Sequence, residues 1–97
     1  MIKSFGSAAT ADIYHGYIGS RDARRLPQTI LRTAERKLDL LNAAAELQDL
    51  LSPPGNRLEK LRGDAKGRYS IRVNDQFRIV FRFHDGHAYE VEITDYH

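Results

Sequence analysis

Cysteine is absent from the 97 residues, so disulfides and thiolate metal sites are excluded and a reducing compartment is the natural setting. Long apolar runs are absent too. No stretch approaches the roughly 20 apolar residues needed to span a bilayer. The opening Met1-Ile2-Lys3-Ser4-Phe5-Gly6-Ser7 lacks the apolar core of a secretory signal. A soluble cytoplasmic protein without membrane contact is the expectation. No GxGxxG, P-loop, HExxH or GxSxG pattern occurs, which leaves nucleotide-dependent, zinc-protease and serine-hydrolase chemistry without support. His15, His84 and His87 lack metal-ligand spacing, and neither a metal site nor a cofactor is expected.

What the chain does hold fits one globular domain covering residues 1–97, since the length allows one core and not two. Hydrophobic residues make up 41% and charged residues 29%, a balance that separates it from disordered tails. Net charge is only +2, but it is unevenly placed. Residues 57–82 carry Arg57, Lys60, Arg62, Lys66, Arg68, Arg72, Arg78 and Arg82 against Glu59, Asp64 and Asp75. Residues 83–97 carry four carboxylates and neither lysine nor arginine. Such a basic block serves either as a phosphate-facing surface or as a solvated face.

The pattern changes once along the chain. Residues 2–5 read as a short first strand, and residues 8–17 as a short helix ending at Gly16 or Gly19. Pro27 is placed to open a helix, along which Leu31, Ala34, Leu38, Leu41 and Ala45 form one apolar stripe. A further turn or two reaches Leu51, and Ser52-Pro53-Pro54-Gly55-Asn56 stops it. Beyond this point the period is two. Tyr69, Ile71 and Val73, then Phe77, Ile79, Phe81 and Phe83, then Tyr89, Val91 and Ile93 alternate with positions that are polar apart from Val80. Three successive strands make an antiparallel meander. With the helix stripe covering one face, the expected class is α+β, two layers, N-terminal helices on one face of a mainly antiparallel sheet.

Register follows from the alternation, because a slip of one residue sends every side chain to the wrong face. A three-residue loop at 74–76 pairs Ile71 with Ile79 and Arg72 with Arg78. A three-residue loop at 85–87 pairs Phe81 with Val91 and Arg82 with Glu90. Odd-length loops with a bulge are therefore expected at both hairpins. Arg72 and Arg78 then face each other, an arrangement that an acidic neighbour or a bound phosphate must offset. The same pairing brings Asp95-Tyr96-His97 beside the 74–76 turn.

Two arginines near a terminal Tyr-His suit RNA cleavage without a metal. That reaction needs a base for the ribose 2′-hydroxyl, cations for the phosphate and an acid for the leaving 5′-oxygen. Histidine titrates near working pH, arginine donates two parallel bonds to phosphate, and Tyr96 can stack on a base.

The runs Pro53-Pro54-Gly55-Asn56-Arg57-Leu58-Glu59-Lys60-Leu61-Arg62, Gly67-Arg68-Tyr69-Ser70-Ile71-Arg72-Val73-Asn74-Asp75-Gln76-Phe77-Arg78 and Asp95-Tyr96-His97, with the opening Met1-Ile2-Lys3-Ser4-Phe5, resemble the HigB-type toxins of the RelE/ParE superfamily. The resemblance implies a RelE-like fold and a toxin of a type II toxin–antitoxin system. It also implies ribosome-dependent mRNA cleavage and neutralisation by a helix-turn-helix antitoxin of the HigA type. By the same resemblance Asp95, Tyr96, His97 and Arg78 are catalytic, and Arg62, Arg68, Arg72, Tyr69 and Glu59 are candidates for contacting RNA. Several members carry Leu-His-Pro-Leu-Lys where this chain has Leu58-Glu59-Lys60-Leu61-Arg62. Glu59 then acts as a base in place of histidine, or His97 and Arg78 carry the chemistry alone. The rival expectations on this fold are a ParE-like gyrase-inhibiting toxin, a catalytically weakened binding protein, or a plain RNA-binding module.

Overall fold

The computed structural model describes residues 1–63 and 67–96. Two α-helices, α1 (Ala8–Tyr14) and α2 (Leu31–Ala43), precede four strands, β1 (Glu59–Lys60), β2 (Tyr69–Arg72), β3 (Phe77–His84) and β4 (His87–Asp95). The strands form one antiparallel sheet in chain order. Both helices share a core with one face of it, in the two-layer α+β arrangement expected. Among the described residues no helix is long and apolar enough to cross a membrane.

Local chemistry sets the helix limits. Ser7 is extended, and its hydroxyl accepts from the Thr10 N–H at 3.2 Å, capping α1. The helix ends at Tyr14, earlier than the sequence pattern implies, because the backbone turns left-handed at Gly16 (φ 86°). Thr10 is fully buried, and its Oγ1 accepts from the Ile93 N–H at 3.0 Å, pinning α1 to β4. In α2 the stripe of Leu31, Ala34, Leu38 and Leu41 is buried as its spacing requires. Pro27 opens a 3₁₀ turn (Gln28–Ile30) rather than the α-helix, which starts at Leu31. Because α2 stops at Ala43, helical spacing no longer applies beyond it, and Ala44 is buried where Ala45 was expected. A 3₁₀ helix (Leu47–Leu51) follows and ends at Ser52, before the two prolines.

The first hairpin has the expected register, with Ile71 opposite Ile79 and Arg72 opposite Arg78. Its three-residue loop is closed by Asn74, whose Oδ1 accepts from the Gln76 and Phe77 N–H groups at 2.9 and 2.7 Å. The second hairpin corrects the sequence reading. Asp85 and Gly86 both have positive φ (49° and 80°), so the turn has two residues and His84 faces His87. The register is restored inside the strand. Between the Arg82–Tyr89 and Val80–Glu92 pairs, β4 has one residue more than β3. Glu90 takes the left-handed conformation (φ 52°) at this bulge. Phe81 and Val91 thereby both remain fully buried. The bulge also explains why residues 2–5 form two separate parallel bridges to β4, Ile2 with Ala88 and Phe5 with Val91, instead of a continuous strand. Between them the Glu90 N–H donates to the Ser4 hydroxyl at 2.8 Å.

Candidate active site

The face of the sheet turned away from the helices carries the charge. Alternation along β2 and β3 puts Ser70, Arg72 and Arg78 on that face, and Glu59, paired with Ser70, joins them. Arg57, Glu59, Arg72, Asn74, Asp75, Arg78 and Tyr96 line a cleft of about 300 Å³, a volume at the lower end for small-molecule sites.

Arg72 and Arg78 face each other as expected, and their repulsion is relieved in two ways. Arg72 pairs with Asp75 of the hairpin loop at 2.5 Å. Arg78 has no carboxylate partner among the described residues. It is held by neutral acceptors instead: Nε donates to the fully buried Ser70 hydroxyl at 2.7 Å, and Nη2 donates to the Arg57 carbonyl. Its Nη1 amine meets no acceptor among the described residues. An oriented guanidinium without a counter-anion, beside a second arginine, has its Nη1 amine to offer a phosphate.

The C-terminal segment reaches this cleft. The Tyr96 N–H donates to the Gln76 carbonyl at 2.6 Å, and Gln76 donates from its side chain to Asp95 at 3.0 Å. These bonds bring Asp95 and Tyr96 beside the 74–76 loop, with the half-exposed Tyr96 ring on the cleft wall. His97, expected to act as acid or base, and residues 64–66 of the basic loop lie outside the described residues.

Of the residues expected to contact RNA, Arg72 and Glu59 line the cleft and three others do not. Tyr69 lies on the helix-facing side of β2, partly buried against Phe81 (ring centroids 6.2 Å apart). Arg68 lies near Glu90 at 3.6 Å, and Arg82 binds the same carboxylate at 2.6 Å. Arg62 is exposed beyond β1 and away from the lining. Arg57 was missed. Its signal was the Pro-Gly-Asn run before it, which turns the chain into a left-handed conformation at Arg57 (φ 44°) and aims its carbonyl at Arg78.

The backbone is shared with solved toxins. It aligns over 100% of its length, and 98% of theirs, with the YoeB–YefM complex from Staphylococcus aureus at 20% identity and TM-score 0.60. A mutant of YafQ from E. coli aligns over 98% of this chain and 93% of that one, at 12% identity and TM-score 0.60. The fold is that of RelE-type toxins.

Sequence comparison narrows the class. Residues 8–97 match the HigB-like toxin family, described as RelE-like toxins of the type II toxin–antitoxin system HigB. Toxin HigB-1 of Vibrio cholerae is 46% identical over 72 residues, 74% of this chain and 76% of that protein. Endoribonuclease HigB of Proteus vulgaris is 36% identical over 97 residues, the full length of both. The chain belongs to the HigB-like family of RelE-type toxins of type II toxin–antitoxin systems.

Proposed function

We propose that this toxin is a ribosome-dependent endoribonuclease that cleaves mRNA in the cleft bounded by Arg57, Arg72, Arg78 and Tyr96. One observation carries the reading: Arg78 is oriented by Ser70 and Arg57 yet left without a carboxylate partner among the described residues. The name of the Proteus vulgaris relative, an endoribonuclease, supports the same reaction class.

In the proposed step the 2′-oxygen of a ribose attacks the adjacent phosphorus as the bond to the 5′-oxygen breaks. The products are a 2′,3′-cyclic phosphate and a free 5′-hydroxyl. A base takes the 2′-hydroxyl proton and an acid returns one to the leaving oxygen. Arg78 and Arg72 stabilise the charge gathering on the phosphoryl oxygens, which is the largest contribution such a site makes. Tyr96 stacks on a neighbouring base, and Asp95 and Gln76 fix the tail. His97 is assigned to proton transfer, with Glu59 of the cleft lining as its complement. In this scheme guanidinium groups take the place of a metal ion within the cleft. Arg62, Arg68 and Tyr69 are assigned to a longer RNA path outside the cleft.

The partner is an antitoxin, as expected for a type II system, and solved relatives on this fold include a toxin–antitoxin complex. We assign it to the helix-turn-helix HigA type and the compartment to the cytoplasm. Induction in cells with mapping of mRNA 5′ ends tests the nuclease. Growth arrest with new ends, lost in His97→Ala and Arg78→Lys, is expected. Arrest without new ends overturns the reading and favours gyrase inhibition.

A further inference from the structure

Lys37 departs from the chemistry of its helix face. It lies beside Leu38 on α2 and is 7% exposed, where a lysine is seldom found unless paired. Its Nζ donates to Oδ1 of Asn56, which is itself fully buried. The Asn56 amide donates in turn to the carbonyls of Leu50 and Ser52, both at 3.2 Å. The Asn56 N–H donates to the Pro53 carbonyl at 2.9 Å. One side chain thus gathers the end of the Leu47–Leu51 helix and the proline turn around a single amide.

The next residue is Arg57, whose left-handed backbone is uncommon for a residue with a Cβ. That conformation directs the Arg57 carbonyl to Nη2 of Arg78. The path from α2 to the cleft therefore runs Lys37, Asn56, Arg57, Arg78, with hydrogen bonds at its two ends and a peptide bond between. Burial, with Arg36 and Arg72 nearby, pushes the Lys37 pKa down, so the ammonium is held at an energetic disadvantage that a methionine of similar length avoids.

We propose that Lys37 and Asn56 are a buried positioning pair that fixes the Arg57 carbonyl and thereby orients the Arg78 guanidinium toward the cleft. Neither residue touches substrate. The effect on cleavage rests on the proposed role of Arg78, whereas the effect on Arg78 orientation does not.

The test uses the full chain with Lys37→Met and Lys37→Gln, followed by NMR. The readouts are hydrogen exchange of the Arg78 guanidinium Nη2–H and of the Ile71 and Ile79 amides. In Lys37→Met the sheet amides remain protected while Arg78 exchanges about tenfold faster, the size of losing one hydrogen bond to a charged group. Lys37→Gln keeps an N–H donor toward Asn56 and holds Arg78 at the wild-type rate. In cleavage assays Lys37→Met lowers kcat about tenfold with KM little changed, and Lys37→Gln restores kcat. Arg78 protection unchanged in Lys37→Met, or lost in a folded Lys37→Gln, overturns the positioning role. So does failure of both variants to fold. Loss of protection with cleavage unaffected upholds the positioning role and overturns the proposed role of Arg78 instead.

Discussion

Replacing Arg78 by lysine keeps the charge and removes the fork. In the structure Arg78 spends Nε on the Ser70 hydroxyl and Nη2 on the Arg57 carbonyl, leaving Nη1 for a phosphate. A lysine ammonium places all its donors at one point. Bound to Ser70 and Arg57 it is drawn back from the cleft, and turned toward a phosphate it strands a buried hydroxyl. Either way about one charge-assisted bond is lost, worth roughly 1.5–3 kcal/mol, or about 10- to 150-fold in rate. Single-turnover cleavage of a reporter mRNA on programmed ribosomes measures this. Arg82→Lys, on the same strand, is the control. Its pair with Glu90 is half-exposed on both sides, and such pairs are worth at most about 1 kcal/mol. If Arg78→Lys stays within about threefold of wild type, or falls no further than Arg82→Lys, the reasoning about the fork is refuted.

Three further outcomes concern stability. In Gly86→Ala the new Cβ sits 2.9 Å from the Ala45 carbonyl oxygen at φ 80°, so urea denaturation is expected to show a loss of about 1–3 kcal/mol; an unchanged midpoint contradicts the turn assignment. Glu90→Gln weakens only the solvent-accessible pairs with Arg82 and Arg68 and is expected to cost less than about 1 kcal/mol, a larger loss meaning that the bulge depends on the carboxylate. Lys37 has its pKa lowered from 10.5 by burial and by Arg36 and Arg72. Below the native pKa both states carry the proton and the full disadvantage is felt. As pH rises through that value toward 10.5 the unfolded chain holds more proton, so wild-type stability gains on that of Lys37→Met. Parallel stability curves for the two proteins contradict a buried, disfavoured ammonium.

The sequence disclosed those parts of the fold governed by period. The α2 stripe and the alternation of β2 and β3 placed Arg72 opposite Arg78 without any coordinates, because burying Ile71 and Ile79 allows only one register. The second hairpin misled for a physical reason. Alternation alone cannot distinguish an extra residue in the turn from one inside the strand, and here Glu90 absorbs it in a left-handed conformation that its side chain does not advertise. The Asp85-Gly86 turn was the stronger local signal. Within the cleft, Arg78, Arg72 and Tyr96 were visible from strand parity and chain end, and Glu59 only through the family resemblance. Arg57 and Lys37 were not. Arg57 contributes a carbonyl, which every residue has, and Lys37 depends on reaching an asparagine in a distant loop. Tyr69 lies outside the cleft because strand parity assigns it to the core side, alongside Ile71.

Chemical-shift mapping with a short RNA carrying 2′-O-methyl groups, which binds without being cut, reaches the site most directly. The account predicts that the largest changes fall on the Arg78 and Arg72 guanidinium groups and on Tyr96, and that they fade in Arg78→Lys. Changes centred on α1 or α2, with those three signals unmoved at saturation, contradict it.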